Sequence, residues 1–568
     1  MNLKTAFNTE STEKNMPRSK SRGTEKTERS LEMTTHPVGE LKLCLRALCG
    51  SVLSAPQGCF LRGMSRELVT EFSRMNKNFL GIIFAATLLT ACATVKNPVS
   101  GENELTVMDE QREIALGRKE HAEVLKEYGI YNNPRLQTYV NELGQRLARQ
   151  SHRKDLEWHF TVLDSPQINA FALPGGYVYV TRGIMAYMDS EADLAGVIGH
   201  EIGHVTARHG AQRATRQQTA GVGVMAATIL GAILESSGVS GAGQLANQAS
   251  QGLAAGYIAS YGRDQELQAD SLGAEYLSRV NLDPKNMVDV IGVLKNQERF
   301  ADDTARAEGR TPPPHTGWLT SHPSNDKRLQ EIVRIAAQYK GNYGDEGRSR
   351  YLQAINGMTF GESREQGVTR GRHFYHEPLG IALTAPEGWK VRNTPEAIAL
   401  INAPEDAGLI VSVLPAKAGS TQDEIVRNVF RSAQGRTERR SLGGFPATHF
   451  VGTRQNQQGQ MQPIEATVVT GPENRNYLLV YGARNPQLLR NAREKIQEGE
   501  ASFRPLSSAD RAAARPWTIR AVPYRQGSLP QLVRDSPLSG NAEQQLRLLN
   551  GVYSGGNLQA GQLIKVVE

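Results

Sequence analysis

The sequence predicts an α+β chain of several modules. A mainly helical portion with a small edge sheet comes first, then a small antiparallel β-rich portion, then a short strand–helix–helix–strand tail. Three observations lead there. Helical periodicity dominates the first half, at Glu110 to Tyr128 and Pro134 to Gln150. After about Lys340 the pattern changes to short β-prone runs split by turns. At 568 residues, several cores are expected rather than one.

The composition shifts set the boundaries. Residues 1–74 read as an extension, 75–92 as a leader and 93–340 as the helical portion. A linker at 341–370 leads to the β-rich portion, 371–505. A second linker at 506–515 leads to the tail, 516–568. Within the helical portion, Trp158 to Leu163 reads as a strand. Tyr177 to Thr181 is β-prone and reads either as an edge strand or as one arm of a core hairpin turned by Pro174-Gly175-Gly176. An edge strand would offer its free backbone groups to an extended peptide, with Tyr177 and Tyr179 as contact residues. Asn169 either bonds that peptide or holds the turn.

Ser190-x-x-Asp193 is a capping box, and Leu194, Val197, Ile198, Ile202 and Val205 then give a helix a broad apolar face. On this helix lies His200-Glu201-x-x-His204. Residues i and i+4 lie about 40° apart around a helix, so both imidazoles project toward one point, where a zinc ion fits. Glu201 stands beside that point as a general base. A catalytic zinc takes three protein ligands. Glu266 and Asp270 are another i, i+4 pair. Glu266 can be the third ligand while Asp270 orients a histidine; the alternative is a solvated acidic helix face.

H-E-x-x-H followed by E-x-x-A-D-x-x-G resembles the HtpX-like and BepA-like zinc peptidases, relatives of the CAAX prenyl proteases. Two further blocks are similar to that family: Asn169 to Gly176 with Tyr177 to Thr181, and Ser321-His322-Pro323 with Arg328. The resemblance implies a zincin-type, gluzincin domain with one Zn2+ per chain. It implies His200, His204 and Glu266 as ligands and Glu201 as base. It suggests His322 either as an oxyanion donor or as a removable fourth ligand, and Arg328 either as a brace or as an oxyanion donor.

Thr219 to Leu234 is a small-residue apolar run of 16, short of the roughly 20 needed for a membrane span. With Ser236 to Ala255 it reads either as a lid touching membrane or partner, or as an internal helix pair. Arg310 to His315 reads as a loop. In the β-rich portion, Gly380 to Thr384, Leu409 to Leu414, Thr467 to Thr470 and Tyr477 to Tyr481 read as strands, with a turn at Pro386 to Trp389. It resembles a PsbP- or Mog-type accessory domain and reads as a docking module. The tail resembles a degenerate LysM domain at Trp517 to Arg520, Leu546 to Gly551 and Leu558 to Val566, which implies either peptidoglycan contact or a structural cap.

Lys77, the apolar run Phe79 to Ala91 and Leu89-Thr90-Ala91-Cys92 resemble a bacterial lipoprotein signal, with Cys92 as the lipidated residue. Met75 opens this signal, so residues 1–74 read as a mis-assigned start or a disordered extension. By resemblance to enterobacterial lipoprotein sorting, Ala93 rather than Asp after the cysteine implies export to the outer membrane of a Gram-negative bacterium. The other three cysteines, Cys44, Cys49 and Cys59, lie in the extension, so the rest of the chain holds no disulfide and no cysteine zinc site. The formal charge is +7, of which residues 1–74 contribute +4 through 12 Lys/Arg and 8 Asp/Glu, which gives no reason to invoke nucleic acid.

Together these readings give a lipid-anchored periplasmic zinc endopeptidase, and the family resemblance alone implies misfolded or misassembled periplasmic and outer-membrane proteins as its substrates. Two alternatives stand beside it: a non-enzymatic envelope chaperone or wall-binding lipoprotein, and a zinc hydrolase of wall peptides.

Overall fold

The computed structural model describes residues 93–216, 261–309, 311, 322, 326–394, 397–431, 433–455, 461–538 and 540–568. The leader with Cys92, the run 219–255, most of the loop 310–315, and Ser321 and Pro323 lie outside the described residues.

The helical portion is built around the helix Glu191–Thr206, every residue of which is buried. Such a helix belongs in the middle of a core, not on its surface. Ser190 and Asp193 form the expected capping box in both directions. Helices Glu110–Tyr128 and Pro134–Ala148 form where the periodicity put them, capped by the side chains of Asp109 and Asn133. The helices Arg263–Arg279, Asn286–Ala307 and Asp326–Ala336 follow.

A three-stranded sheet lies against the central helix, and it corrects one expectation. Tyr177–Thr181 is its middle strand, parallel to His159–Leu163 and antiparallel to Ala170–Leu173. It is therefore no edge strand, and its backbone groups are engaged on both sides. Tyr177 and Tyr179 are buried, and the Tyr179 hydroxyl lies 2.6 Å from His121 Nδ1 on the helix Glu110–Tyr128. Neither ring is available as a substrate contact. The outer strands of the sheet are His159–Leu163 and Ala170–Leu173.

The expected linker 341–370 is likewise structured. Helix Arg348–Ile355 buries Tyr351, Leu352 and Ile355 in the same hydrophobic cluster as the central helix, and Thr359–Phe360 pairs with the tail strand. The second expected linker, 506–515, contains the capped helix Ser508–Ala513, and Ala514 packs on Tyr375 and Ala382.

The β-rich portion is larger than expected. It has a seven-stranded antiparallel sheet in which Ala407–Val413, Asn476–Ala483 and Met461–Thr470 are central, and a four-stranded sheet beginning at Val368–Arg370. Helices Gln422–Val429 and Pro486–Ala501 pack on the large sheet.

The tail has the expected order: strand Trp517–Pro523, helices Leu529–Asp535 and Ala542–Leu549, strand Leu563–Val567. It does not stand apart. Ile519, Leu546, Leu549 and Val567 join the peptidase-side cluster. Lys565 is fully buried, and its ammonium donates to the carbonyls of Ala186 (3.0 Å) and Met188 (2.7 Å) and pairs with Asp189 (2.9 Å), just before the central helix. Among the described residues, no helix is long and apolar enough to cross a membrane.

Candidate metal centre

Two helices meet at unusually short range. Gly199 and Gly203 of Glu191–Thr206 face Gly273 and Ala269 of Arg263–Arg279. A Cβ on Gly203 would lie 3.0 Å from the Ala269 carbonyl oxygen, and one on Gly273 would lie 3.2 Å from the His200 nitrogen. Small residues on both faces let the backbones close in, and this sets Glu266 and Asp270 beside His200 and His204.

His200, His204, Glu266 and His322 converge, all buried, with one ligand atom from each within 4.8 Å of every other. His200 Nε2 lies 3.0 Å from His204 Nε2 and 3.1 Å from His322 Nδ1. Glu266 Oε1 lies 2.9 Å from His322 Nδ1 and 3.4 Å from His204 Nε2, and its Oε2 lies 3.6 Å from His200 Nε2. A tetrahedral ion with bonds of about 2.0–2.1 Å sets its ligand atoms roughly 3.3 Å apart. The donor set also fits. His200 Nδ1 faces Asp270 Oδ1 at 2.9 Å, so it carries the proton, and a bare Nε2 lone pair points into the cluster. Among the described residues no aligned hydrogen-bond donor reaches the buried Glu266 Oε2, although Arg328 Nη1 lies 3.0 Å away. Donor atoms arranged this way can hold a divalent metal.

Arg328 sits behind the carboxylates. It donates to both oxygens of Asp270 (2.6 and 2.7 Å) and to the His322 carbonyl (3.3 Å). These contacts are those of a brace. Burial would raise the Asp270 carboxyl, but the Arg328 charge and hydrogen bonds pull its pKa down to about 2. Burial opposes the Glu266 charge too, yet His322 and the hydrogen bonds of both histidines hold it well below the ordinary range. Burial pushes His204 well down. Burial also works to lower His322, but the Glu266 and Glu201 carboxylates outweigh it and raise its pKa. Glu201 Oε1 lies 3.6 Å from His322 Nε2, on the helix that carries both paired histidines.

Asn169 is not in this cluster. Its backbone holds the turn by bonding Thr181, while its side-chain oxygen is buried with no hydrogen-bond partner among the described residues. Three contributors were missed from the sequence. His209 Nδ1 lies 2.9 Å from His204 Nδ1, and Gln268 Oε1 lies 2.9 Å from His209 Nε2. Tyr261 stacks on the His204 ring at 4.0 Å. The sequence signal for His209 was slight, a further histidine beyond the motif's end.

Residues 134–336 match the description Peptidase family M48. The chain is similar to the beta-barrel assembly-enhancing protease of Yersinia pestis, 28% identical over 291 residues, covering 47% of this chain and 57% of that protein. The protein of that name from Escherichia coli K12 is 28% identical over 280 residues, 47% of this chain and 54% of its own length. The mitochondrial metalloendopeptidase OMA1 of Schizosaccharomyces pombe is 28% identical over 241 residues, 41% and 64% respectively. The chain thus spans little more than half the length of the first two relatives. Cyanobacterial PsbP from Synechocystis matches 25% of this chain and 98% of its own at 14% identity, with a TM-score of 0.19, which carries no argument.

Proposed function

We propose, from the premise that residues 134–336 belong to peptidase family M48, that this chain is a zinc-dependent endopeptidase with one Zn2+ held by His200, His204 and Glu266. The observation that carries this reading is the convergence of four buried ligand atoms from separate segments. When bound, zinc polarises the scissile carbonyl and lowers the pKa of a water molecule. Glu201 takes a proton from the attacking water and passes it to the leaving amine. Asp270, clamped by Arg328, fixes the His200 ring and its tautomer. His322 is read as a removable fourth ligand, because its Nδ1 lies within 3.1 Å of both Glu266 Oε1 and His200 Nε2. Arg328 braces the carboxylates from behind.

The substrates are read as misfolded or misassembled envelope proteins, in line with the printed names of the bacterial relatives. An extended peptide would pair with the edge strand Ala170–Leu173. Cys92 is read as the lipid anchor, putting the chain in the periplasm at the outer membrane. The tail is read as a cap on the peptidase core, which the burial of Lys565 against Ala186 and Met188 supports; peptidoglycan contact would fall to its outer face.

Casein cleavage by the zinc-loaded chain, with and without chelator, tests the proposal beside Glu201→Gln. The parent should lose activity with its metal, and the variant should keep zinc but lose roughly 10²–10⁴-fold in turnover. Normal cleavage by the variant sinks the mechanism; zinc without any cleavage of unfolded protein favours the non-enzymatic alternative.

A further inference from the structure

His209 lies just past the central helix. Arg208 adopts a left-handed conformation, φ +59°, with its guanidinium held by Glu113 Oε1 (3.0 Å) and the Met108 carbonyl (2.6 Å). That reversal swings His209 back under His204. The ring is fully buried, and both its nitrogens meet polar atoms at 2.9 Å: Nδ1 meets His204 Nδ1, and Nε2 meets Gln268 Oε1. We propose that His209 is the positioning residue for His204, a neutral relay that accepts the His204 Nδ1 proton and passes the constraint to Gln268. The proposal rests on the metal reading above.

Counting protons carries it. If His204 Nε2 gives its lone pair to the ion, the single proton of the neutral ring sits on Nδ1. Two imidazole nitrogens 2.9 Å apart share one proton, so His209 Nδ1 must be bare and must accept. The His209 proton then sits on Nε2 and is donated to Gln268 Oε1. Every tautomer along this line is fixed by its neighbour. The two ligating histidines are therefore held differently. His200 leans on a carboxylate that Arg328 clamps, whereas His204 leans on an uncharged chain reaching to the same helix, Arg263–Arg279, that supplies Glu266. The centre consequently gains one buried negative charge from behind its histidines, not two.

The test compares zinc affinity, by chelator competition, for the full chain and for His209→Leu, His209→Gln and Gln268→Leu, with thermal unfolding of each metal-free protein as the control on folding. Leucine removes the acceptor and should weaken zinc roughly 10–100-fold. Glutamine keeps an acceptor oxygen and should stay closer to the parent. Gln268→Leu should fall between. In the zinc-loaded parent, long-range 1H–15N spectra of histidine-labelled protein should show His209 protonated at Nε2, and Gln268→Leu should release that tautomer. Parent-like zinc affinity in a folded His209→Leu overturns the relay, and so do equal losses in His209→Leu and His209→Gln. A parent that takes up no zinc fails the metal reading itself, a result distinct from a defect confined to the variants.

Discussion

Two glycines in neighbouring helices should respond differently to the same substitution: only one of them should gain stability from alanine. A Cβ on Gly203 would lie 3.0 Å from the Ala269 carbonyl oxygen, 3.1 Å from Ala269 Cα and 3.2 Å from Leu272 Cβ, and most of these are backbone atoms that cannot swing aside. A Cβ on Gly292, inside Asn286–Ala307, would meet nothing among the described residues within 4 Å. Alanine is better than glycine in a helix by about 1 kcal/mol at either position. Overpacking a rigid contact costs roughly 1–3 kcal/mol. Gly203→Ala should therefore come out neutral to destabilising by about 2 kcal/mol, and Gly292→Ala stabilising by about 0.5–1 kcal/mol. At about 2–4 °C per kcal/mol for a domain of 150–250 residues, the two melting temperatures should lie several degrees apart. The same push of a few tenths of an ångström separates the helix carrying His200 and His204 from the one carrying Glu266. A metal site tolerates misplacement of only about 0.5 Å, so Gly203→Ala should also weaken zinc binding while Gly292→Ala leaves it alone. Thermal unfolding and chelator competition on both variants decide the matter. A Gly203→Ala protein more stable than the parent, with unchanged zinc affinity, would refute the close-approach argument.

Other consequences concern the loop, the tail and pH. His322→Ala should raise cleavage of unfolded protein, because it removes a fourth ligand from the cluster; equal or lower activity in a protein that still holds zinc counts against the latch. Lys565→Met should destabilise the fold by about 3 kcal/mol, the low end for breaking a buried pair, because Asp189 keeps Arg348 at 3.4 Å and is 29% exposed; a parent-like melting temperature would show that the tail does not clamp the start of the central helix. His376, in the accessory strand His373–His376, is pushed by burial and by Arg475 from 6.5 to about 4. Between those values the unfolded chain binds the extra proton, so stability is complete above pH 6.5 and falls as pH drops toward 4, by at most about 3 kcal/mol. His376→Gln should flatten that slope, and an unchanged slope assigns the loss to other groups.

The ligands were legible because chemistry needs them at fixed helical spacings. His200 with His204 and Glu266 with Asp270 each fall one turn apart, and Ser190 with Asp193 announces where the first helix starts. Other features leave no such trace. Tyr177 to Thr181 alternates in the same way whether it is a central or an edge strand, and the four residues Ala170 to Leu173 gave no sign of becoming its partner on the outer side. Glycine in a helix reads as a propensity cost, so Gly199, Gly203 and Gly273 could be recognised as contact points only once the partner helix was in place. His209 follows a residue in left-handed backbone, where helical periodicity no longer says which way a side chain turns. Residues 341–370 read as a linker because Arg348–Ile355 is short and half polar, and only its apolar face, Tyr351, Leu352 and Ile355, reveals the shared core. The tail's order was readable, but its docking depends on one lysine whose burial no pattern marks.

The zinc content of the purified full chain and of Glu266→Gln, set beside their folded fractions, bears most directly on the whole account. One zinc per parent chain and a large loss in a folded Glu266→Gln protein is the predicted result. A full equivalent of tightly held zinc in that variant, or none in the parent, would contradict it.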